Sequence, residues 1–394
     1  MNIGLAGPVT LRMLQSHVDD GAALPQGYQF PLTALWVQEL LARGHRVWLY
    51  TLAPELDTPR TFAGPNLSIR IGRQRQRARH RALDFFAAER HDLESMMRED
   101  PCDIVHANWT YEFALAALNC GKPTLVTAHD APFQVLRYIP NAYRAIRLLM
   151  ALRVAQCAPR MTAVSSDVAA HFTRFLRYRG PIDVIPNFLY REVFAFYRPR
   201  KQESARLTFA SALTGWGRLK NSTTVLESFA EVRRMLPHAH LLMFGPDFQL
   251  EGPAHSWARE RGLDRQVEFI GPLPHAELLR RLSSEADILV HPSFVEALSV
   301  TVMEAMAVGL PIVAGERTGG MSYLLEDGKA GILVDVGSRN ELADAMVRLG
   351  TDAKLRKQLG SAAHRSALRR LHADVVIPQY EIIYERMMQS AAAC

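Results

Sequence analysis

The sequence predicts an α/β protein built of two doubly wound domains. Three observations point there: 394 residues exceed what one hydrophobic core usually supports, short apolar runs alternate with helix-period segments from end to end, and the series restarts after a polar, basic segment. With 48% apolar and 22% charged residues the composition is that of an ordinary globular chain.

In the first half the strand candidates are Asn2–Gly7, Arg46–Leu52, Ser68–Ile71, Ile104–Ala107, Thr124–Ala128, Met161–Val164 and Ile182–Ile185. A helix is expected over Pro31–Gly44, with Leu32, Leu35, Trp36 and Leu40 on one stripe and Gly44 as its stop. Tyr190–Arg206 is read as the interdomain linker. Beyond it come strand candidates Leu207–Ser211, His240–Phe244, Val267–Ile270, Asp287–His291, Pro311–Ala314 and Gly331–Val334, and a helix over Ser222–Leu236 with Asn221 as its N-cap. The expected domains are therefore 1–195 and 206–374, and a last helical segment, 375–394, is expected to cross back onto the first domain.

Several classes are set aside. The opening "MNIGLAGPV" is read as carrying no secretory signal, and the most apolar helical stretch, Ala145–Ala158, is interrupted by Arg147 and Arg153. Cys102, Cys120, Cys157 and Cys394 are scattered, which argues against a zinc site or a disulfide framework, so a cytoplasmic protein is expected. The net charge of +6 is uneven, with Arg70, Arg73, Arg75, Arg77, Arg79 and Arg81 in one run. The run is read either as a solvated loop or as a contact with an anionic surface, lipid headgroups or a phosphorylated acceptor. Without interleaved aromatics or a reader motif, nucleic acid is not the expected partner.

The segment "HPSFVEALSVTVMEAMAVGLP", His291–Pro311, is apolar except for Glu296 and Glu304. Glu296 falls on the loop after a buried strand; Glu304 falls in the helix that Ser299 caps. In an open parallel sheet ligands bind outside the carboxyl ends of the strands. A carboxylate in so apolar a helix must be paired or hydrogen-bonded, either by a neighbouring Arg or backbone group or by the vicinal hydroxyls of a ribose. The amides near Leu298–Val300 favour a phosphate at the helix start.

The pattern Glu-x7-Glu, followed by "EAMAVGLPIVAG" and "TGGMSYLLEDGKAGILVD", resembles the nucleotide-sugar site of retaining glycosyltransferases of family 4, which have the GT-B fold of two Rossmann-like domains facing each other across a cleft. "LPQGYQFPLTALWVQELLARGHRV", "DIVHAN", "TAHD", "AVSSDV", "DVIPN", "GWGRLKNSTTVLESF" and "VEFIGPLPHAELL" are similar to family segments in the same order.

The resemblance implies that Glu304 binds the donor ribose, that Glu296 contacts hydroxyls of the transferred sugar, and that Lys220 neutralises the diphosphate, a role for which a fixed cation is apt. It also places Ile270, Gly271 and Leu273 beside the base, and Ala297, Leu298, Ser299 and Val300 around the phosphates, with Gly27 letting the first-domain loop approach them. His129 matches a histidine near sugar and acceptor and is expected to donate to a hydroxyl. Asp130 is expected to orient His129 or meet the acceptor hydroxyl, and His106 and Asn108 line the acceptor side.

Two departures stand out. The family arginine's position is Gly215 here, with Arg218 as the nearest replacement, and the usual Glu-Gly-Phe-Gly is Glu296-Ala297-Leu298-Ser299. The resemblance implies metal-independent transfer with retention, without cofactor, from a UDP- or GDP-sugar to a glycan, glycolipid or lipid-linked acceptor, and the arginine run is read as a hint that this acceptor is membrane-bound or anionic, met at the inner face of a membrane. A non-catalytic sugar-nucleotide-binding protein and an epimerase of the same fold are the alternatives. A dinucleotide oxidoreductase is disfavoured, because "GLAGPV" lacks G-x-G-x-x-G.

Overall fold

The computed structural model describes residues 1–199 and 206–392. The chain divides into one unit formed by Met1–Ile185 with the segment from Val376 onward, and a second formed by Pro186–Val375. Sequence reading put the first boundary after residue 195. Residues 186–195 belong instead with the second unit, because Phe188, Leu189 and Val193 are buried and the Leu189 amide donates to Leu371 O at 2.7 Å. Part of the expected linker, 200–205, lies outside the described residues.

In the first unit β1 (Asn2–Ala6), β2 (Arg46–Ala53), β3 (Arg60–Ala63), β4 (Leu67–Arg73), β5 (Ile104–Ala107), β6 (Thr124–Ala128), β7 (Arg160–Ala163) and β8 (Ile182–Val184) form one sheet in the order β3-β4-β2-β1-β5-β6-β7-β8. All neighbours run parallel except β3, which lies antiparallel on the edge. Only Phe62 of β3 is buried, so that strand carries almost no apolar signal. The helix Pro31–Ala42 buries Thr33, Ala34, Trp36, Val37 and Leu40, while Leu32 and Leu35 of the expected stripe are half-buried. Gly44, at φ +81°, closes it: its amide donates to Leu41 O and that of His45 to Leu40 O, the paired bonds of a Schellman stop.

The last helix, Ala373–Ala392, places Tyr380 and Tyr384 in the core of this unit. Tyr380 meets Trp36 with ring centroids 4.6 Å apart, and the Tyr384 hydroxyl lies 2.7 Å from His106 Nδ1.

Half of the arginine run is structural. Arg70 pairs with Asp100 at 2.6 Å, Arg73 with Asp92 at 2.8 Å, and Arg75 with both Glu89 at 2.6 Å and Asp84 at 2.8 Å, joining β4 and its following loop to the helix Ala87–Glu99 and its flanks. Arg81 donates to Arg75 O at 2.8 Å, which leaves Arg77 and Arg79 exposed. The expected anionic-surface contact therefore loses half of its charge to internal carboxylates.

In the second unit β9 (Leu207–Ala212), β10 (Ala239–Phe244), β11 (Val267–Gly271), β12 (Ile288–His291), β13 (Ile312–Gly315) and β14 (Ile332–Val334) form a wholly parallel sheet, β11-β10-β9-β12-β13-β14. The helix Ser222–Met235 seats Val225, Leu226, Phe229 and Val232 on Phe209, Leu241 and Met243. Burial of such side chains is worth about 1.5–3 kcal/mol each before the cost of ordering them. No helix among the described residues is long and apolar enough to cross a membrane.

Candidate functional site

The order of the second sheet reverses between β9 and β12, so the loops leaving those two strands flank the crevice in which parallel sheets bind ligands. The loop after β9 ends in a short 3-10 turn, Arg218–Lys220; the loop after β12 carries Pro292–Ser299. Two bonds tie them together. The Phe294 amide donates to Leu219 O at 2.9 Å, and Asn221 Nδ2 donates to Pro292 O at 3.1 Å and to Val336 O at 2.7 Å. Asn221, expected as a helix cap, makes no cap bond: at φ +51° it turns its amide into this brace instead. The brace sets Lys220 Nζ 2.6 Å from Glu296 Oε1.

Glu296 also has His291 Nε2 at 3.2 Å from the same oxygen. Burial raises its pKa, but the hydrogen bond and charge of His291 and the charge of Lys220 outweigh it and hold the carboxyl down at about 2. Its backbone is fixed as well, for Gly320 N–H donates to Glu296 O at 3.0 Å and Thr318 Oγ1 to Ser293 O at 2.7 Å. Lys220 and Glu296 are thus brought together as charged, oriented groups. His291 was not singled out in the sequence, where it reads as the last residue of a buried strand.

Ser299 caps the helix Val300–Ala307 by accepting from Val302 N–H at 3.4 Å, leaving Val300 and Thr301 amides without intrahelical partners. Glu304, with 7% of its side chain exposed, is paired through Oε1 with His275 Nε2 at 2.6 Å. His275 Nδ1 in turn lies 3.0 Å from the Tyr190 hydroxyl. The hydrogen bond to Glu304 raises the His275 pKa against the effect of burial. The sequence anticipated a neighbouring arginine or a backbone group, not a histidine. The signal available was the segment "GPLPHAELL" itself, whose loop leads from β11 to a helix beginning at His275.

At the end of β11, where that loop begins, Gly271 sits at φ +83°, and a Cβ there would lie 2.8 Å from Gln249 Cβ, so only glycine fits. Ile270 pairs with Gln249 in an isolated bridge and Leu273 is half-buried. Of the three residues between the glutamate and the helix, Leu298 and Ser299 are buried and Ala297 is half-buried, while Val300, the first residue of the helix, is 45% exposed.

Arg218 is exposed and makes no ion pair among the described residues. Gly215 stands at φ +108°, and a Cβ there would meet Asp247 Oδ2 at 3.3 Å. A side chain at that position would strain the backbone.

In the first unit the reversal lies between β1 and β5. Asn108 follows β5 and His129 follows β6. His129 Nε2 is 2.5 Å from Asn108 Oδ1, and Asn108 Nδ2 donates to Thr33 Oγ1 at 3.3 Å. Burial lowers the His129 pKa to about 4, so the ring is neutral at physiological pH. With the Nε2 proton given to Asn108, Nδ1 is left as an acceptor, whereas the sequence led to a donor at this ring. Asn108, not Asp130, orients His129. Asp130 accepts from the Tyr111 hydroxyl at 2.7 Å through Oδ2, its Oδ1 is buried without a partner among the described residues, and burial raises its pKa.

His106 is a core residue and not an acceptor-side one: it is fully buried, with Tyr384 on Nδ1 and Thr127 Oγ1 at 2.6 Å from Nε2. Gly27, at φ +63°, pairs with Thr10, and a Cβ there would lie 2.9 Å from Leu11 Cδ1, so the glycine meets a need of its own loop. Among the described residues no group of three or more His, Cys, Asp or Glu side chains is placed to hold a metal ion.

Residues 33–192 match the family model described as Glycosyltransferase Family 4, and residues 199–366 match Glycosyl transferases group 1. The chain is 22% identical over 365 residues to N-acetyl-alpha-D-glucosaminyl L-malate synthase of Bacillus anthracis, covering 88% of this chain and 91% of that protein. It is 39% identical over 109 residues to D-inositol 3-phosphate glycosyltransferase of Corynebacterium aurimucosum, a match spanning 28% of this chain and 25% of that one. Among solved structures it is similar to sucrose-phosphate synthase of Thermosynechococcus elongatus, with a TM-score of 0.75, 18% identity and coverage of 98% and 99% of the two chains. It is also similar to Anabaena HepE solved with UDP and glucose, with a TM-score of 0.67, 16% identity and coverage of 98% and 99%.

Proposed function

Because the chain belongs to the group 1 glycosyltransferases of family 4 and has their GT-B fold, we propose that it is a retaining hexosyltransferase using a UDP- or GDP-sugar. The observation that supports this best is the second unit's row of Lys220, Glu296 and Glu304 on the loops and helix at the sheet's reversal. In this reading Lys220 meets the diphosphate, with Arg218 free to join it and the open amides of Val300 and Thr301 completing the anion site. Glu296 accepts from hydroxyls of the transferred sugar, Glu304 from those of the ribose, and Ile270, Gly271 and Leu273 border the base.

The step is transfer of the anomeric carbon from the diphosphate oxygen to an acceptor hydroxyl on the same face of the sugar. The departing phosphate gains negative charge as the bond breaks and takes up the acceptor proton. Lys220 stabilises that charge, and no metal is needed for it; one such fixed donor is typically worth about 10²–10³ in turnover. Glu296 is held ionised by His291 and Lys220, which suits an acceptor of hydroxyl hydrogen bonds. On the acceptor side Asn108 fixes His129 with Nδ1 able to receive a hydroxyl. A glycan or lipid-linked acceptor of polysaccharide or lipopolysaccharide type, met at the cytoplasmic face of a membrane, fits this reading. Arg77 and Arg79 remain for an anionic partner.

Thermal-shift titration with UDP-, GDP- and ADP-sugars tests the donor reading, since a ligand of the native state raises stability by an amount that grows with the logarithm of its affinity. Stabilisation by one of them that is lost in Lys220→Ala, persists in EDTA and accompanies a product of unchanged anomeric configuration is expected. Stabilisation by none refutes it, and binding without turnover on any acceptor leaves a binding protein.

A further inference from the structure

We infer that His275, itself held by Tyr190, is a positioning residue that presents Glu304 to the ribose of the donor. The inference deepens the donor reading above and rests on it. Among the described residues His275 is the sole side chain within hydrogen-bond distance of the Glu304 carboxylate, which hangs from a helix whose neighbours Val302, Met303, Ala305, Met306 and Ala307 are all fully buried. A glutamate has three side-chain torsions, and packing against such surfaces does not fix the plane of its carboxylate. The 2.6 Å bond to His275 Nε2 does: it commits Oε1 to the protein and leaves Oε2, with the second lone pair of Oε1, for two vicinal hydroxyls.

Tyr190 completes the arrangement. Its hydroxyl, 3.0 Å from Nδ1, donates to a neutral ring and accepts from a cationic one, so in either state the Nε2 proton points at Glu304. Hydrogen bonds of this second kind hold carboxylates and histidines in productive geometry at many polar sites. His275 is also the first residue of the helix after the loop assigned to the base, so base and ribose recognition share one short segment.

The test is the affinity ratio between a ribonucleoside diphosphate and its 2′-deoxy counterpart, measured calorimetrically with whichever of UDP, GDP and ADP the protein binds most tightly. His275→Ala is expected to bring the ratio down about tenfold, Tyr190→Phe to lower it less, and His275→Gln, whose amide nitrogen reaches the place of Nε2, to restore it to within about threefold of the parent. A parental ratio in both His275→Ala and Tyr190→Phe, with the ratio abolished in Glu304→Ala, overturns the role of His275 and leaves the donor reading intact. A parental ratio in Glu304→Ala, or no binding of any of the three nucleotides, overturns the donor reading and this inference with it. Should His275→Ala fail to fold, Tyr190→Phe decides: a lowered ratio supports the assignment and an unchanged one refutes it.

Discussion

Lys220 Nζ and Glu296 Oε1, from loops on either side of the second sheet's reversal, form an ion pair at 2.6 Å. The cation assigned to the diphosphate and the carboxylate assigned to the sugar therefore act on each other, and a donor must share Lys220 with Glu296. An ammonium has three donors, so sharing is possible, but the carboxylate competes.

Glu296→Gln should consequently bind the free nucleoside diphosphate about threefold more tightly, because Lys220 is released to it. Turnover should fall about 100-fold, because a charged acceptor for sugar hydroxyls is lost. Calorimetry with the diphosphate and initial rates with the donor separate the two effects. Weaker diphosphate binding by this variant would contradict the assignment of the pair.

How much of this was legible before the fold is visible in the same residues. The two glutamates stood out because charge in an apolar run is costly, and Ile104–Ala107 and Thr124–Ala128 read as strands because short apolar runs mark strands buried on both faces, as every residue in them is. Their partners were hidden by distance: Lys220 is 76 positions from Glu296, and His275 is 29 from Glu304. His106 and His129 both follow the same strand-end logic in sequence, yet Tyr384, 278 positions away, claims the first for the core. The arginine run looked free because Asp84, Glu89, Asp92 and Asp100, which neutralise half of it, come later in the chain. β3 was unreadable, with one buried side chain in four residues.

His106 makes the first unit sensitive to acid. Burial, with the nearby His129 adding to it, lowers its pKa to about 3, and burial lowers those of His129 and His171 to about 4. Below about pH 6.5 the unfolded chain takes protons that the native state refuses, so stability falls from there down towards pH 3, by about 1.4 kcal/mol per pH unit for a group so depressed. His106→Gln removes one such group. Its melting temperature should drop less between pH 7 and pH 5 than that of the parent, even if it starts lower; an equal drop would mean that His106 does not titrate as its burial requires.

Asn108 sets the tautomer of His129, accepting at 2.5 Å from Nε2. A neutral acceptor stabilises an imidazolium far less than a carboxylate would, so burial prevails and the pKa lies at about 4. Asn108→Asp places a carboxylate at the same distance, and the coulombic gain at such range in a buried site outweighs the desolvation of the ring. The His129 pKa should rise by more than about two units, readable from its ring resonances in an NMR titration. A titration still centred near the parental value would show that Asn108 is not its partner.

The arginine run offers the sharpest contrast between charge that folds the protein and charge that faces water. Glu89 is buried, and Arg75 reaches it with both Nε at 3.0 Å and Nη2 at 2.6 Å while its Nη1 and Nη2 also hold Asp84. Arg75→Ala would strand Glu89 without that partner. Removing one member of a buried pair costs about 3–5 kcal/mol, and because the Arg75 side chain is 35% exposed the expected loss is nearer about 2–3 kcal/mol, seen as a clear drop in melting temperature. Arg77→Ala and Arg79→Ala, whose side chains are exposed, should leave stability within about 0.5 kcal/mol of the parent. The same three variants divide the two readings of the run. If an anionic surface is recognised here, binding to vesicles containing phosphatidylglycerol should weaken in the Arg77 and Arg79 variants without any loss of fold, whereas vesicle binding that depends on Arg75 alone would trace to the helix it anchors and not to a surface contact.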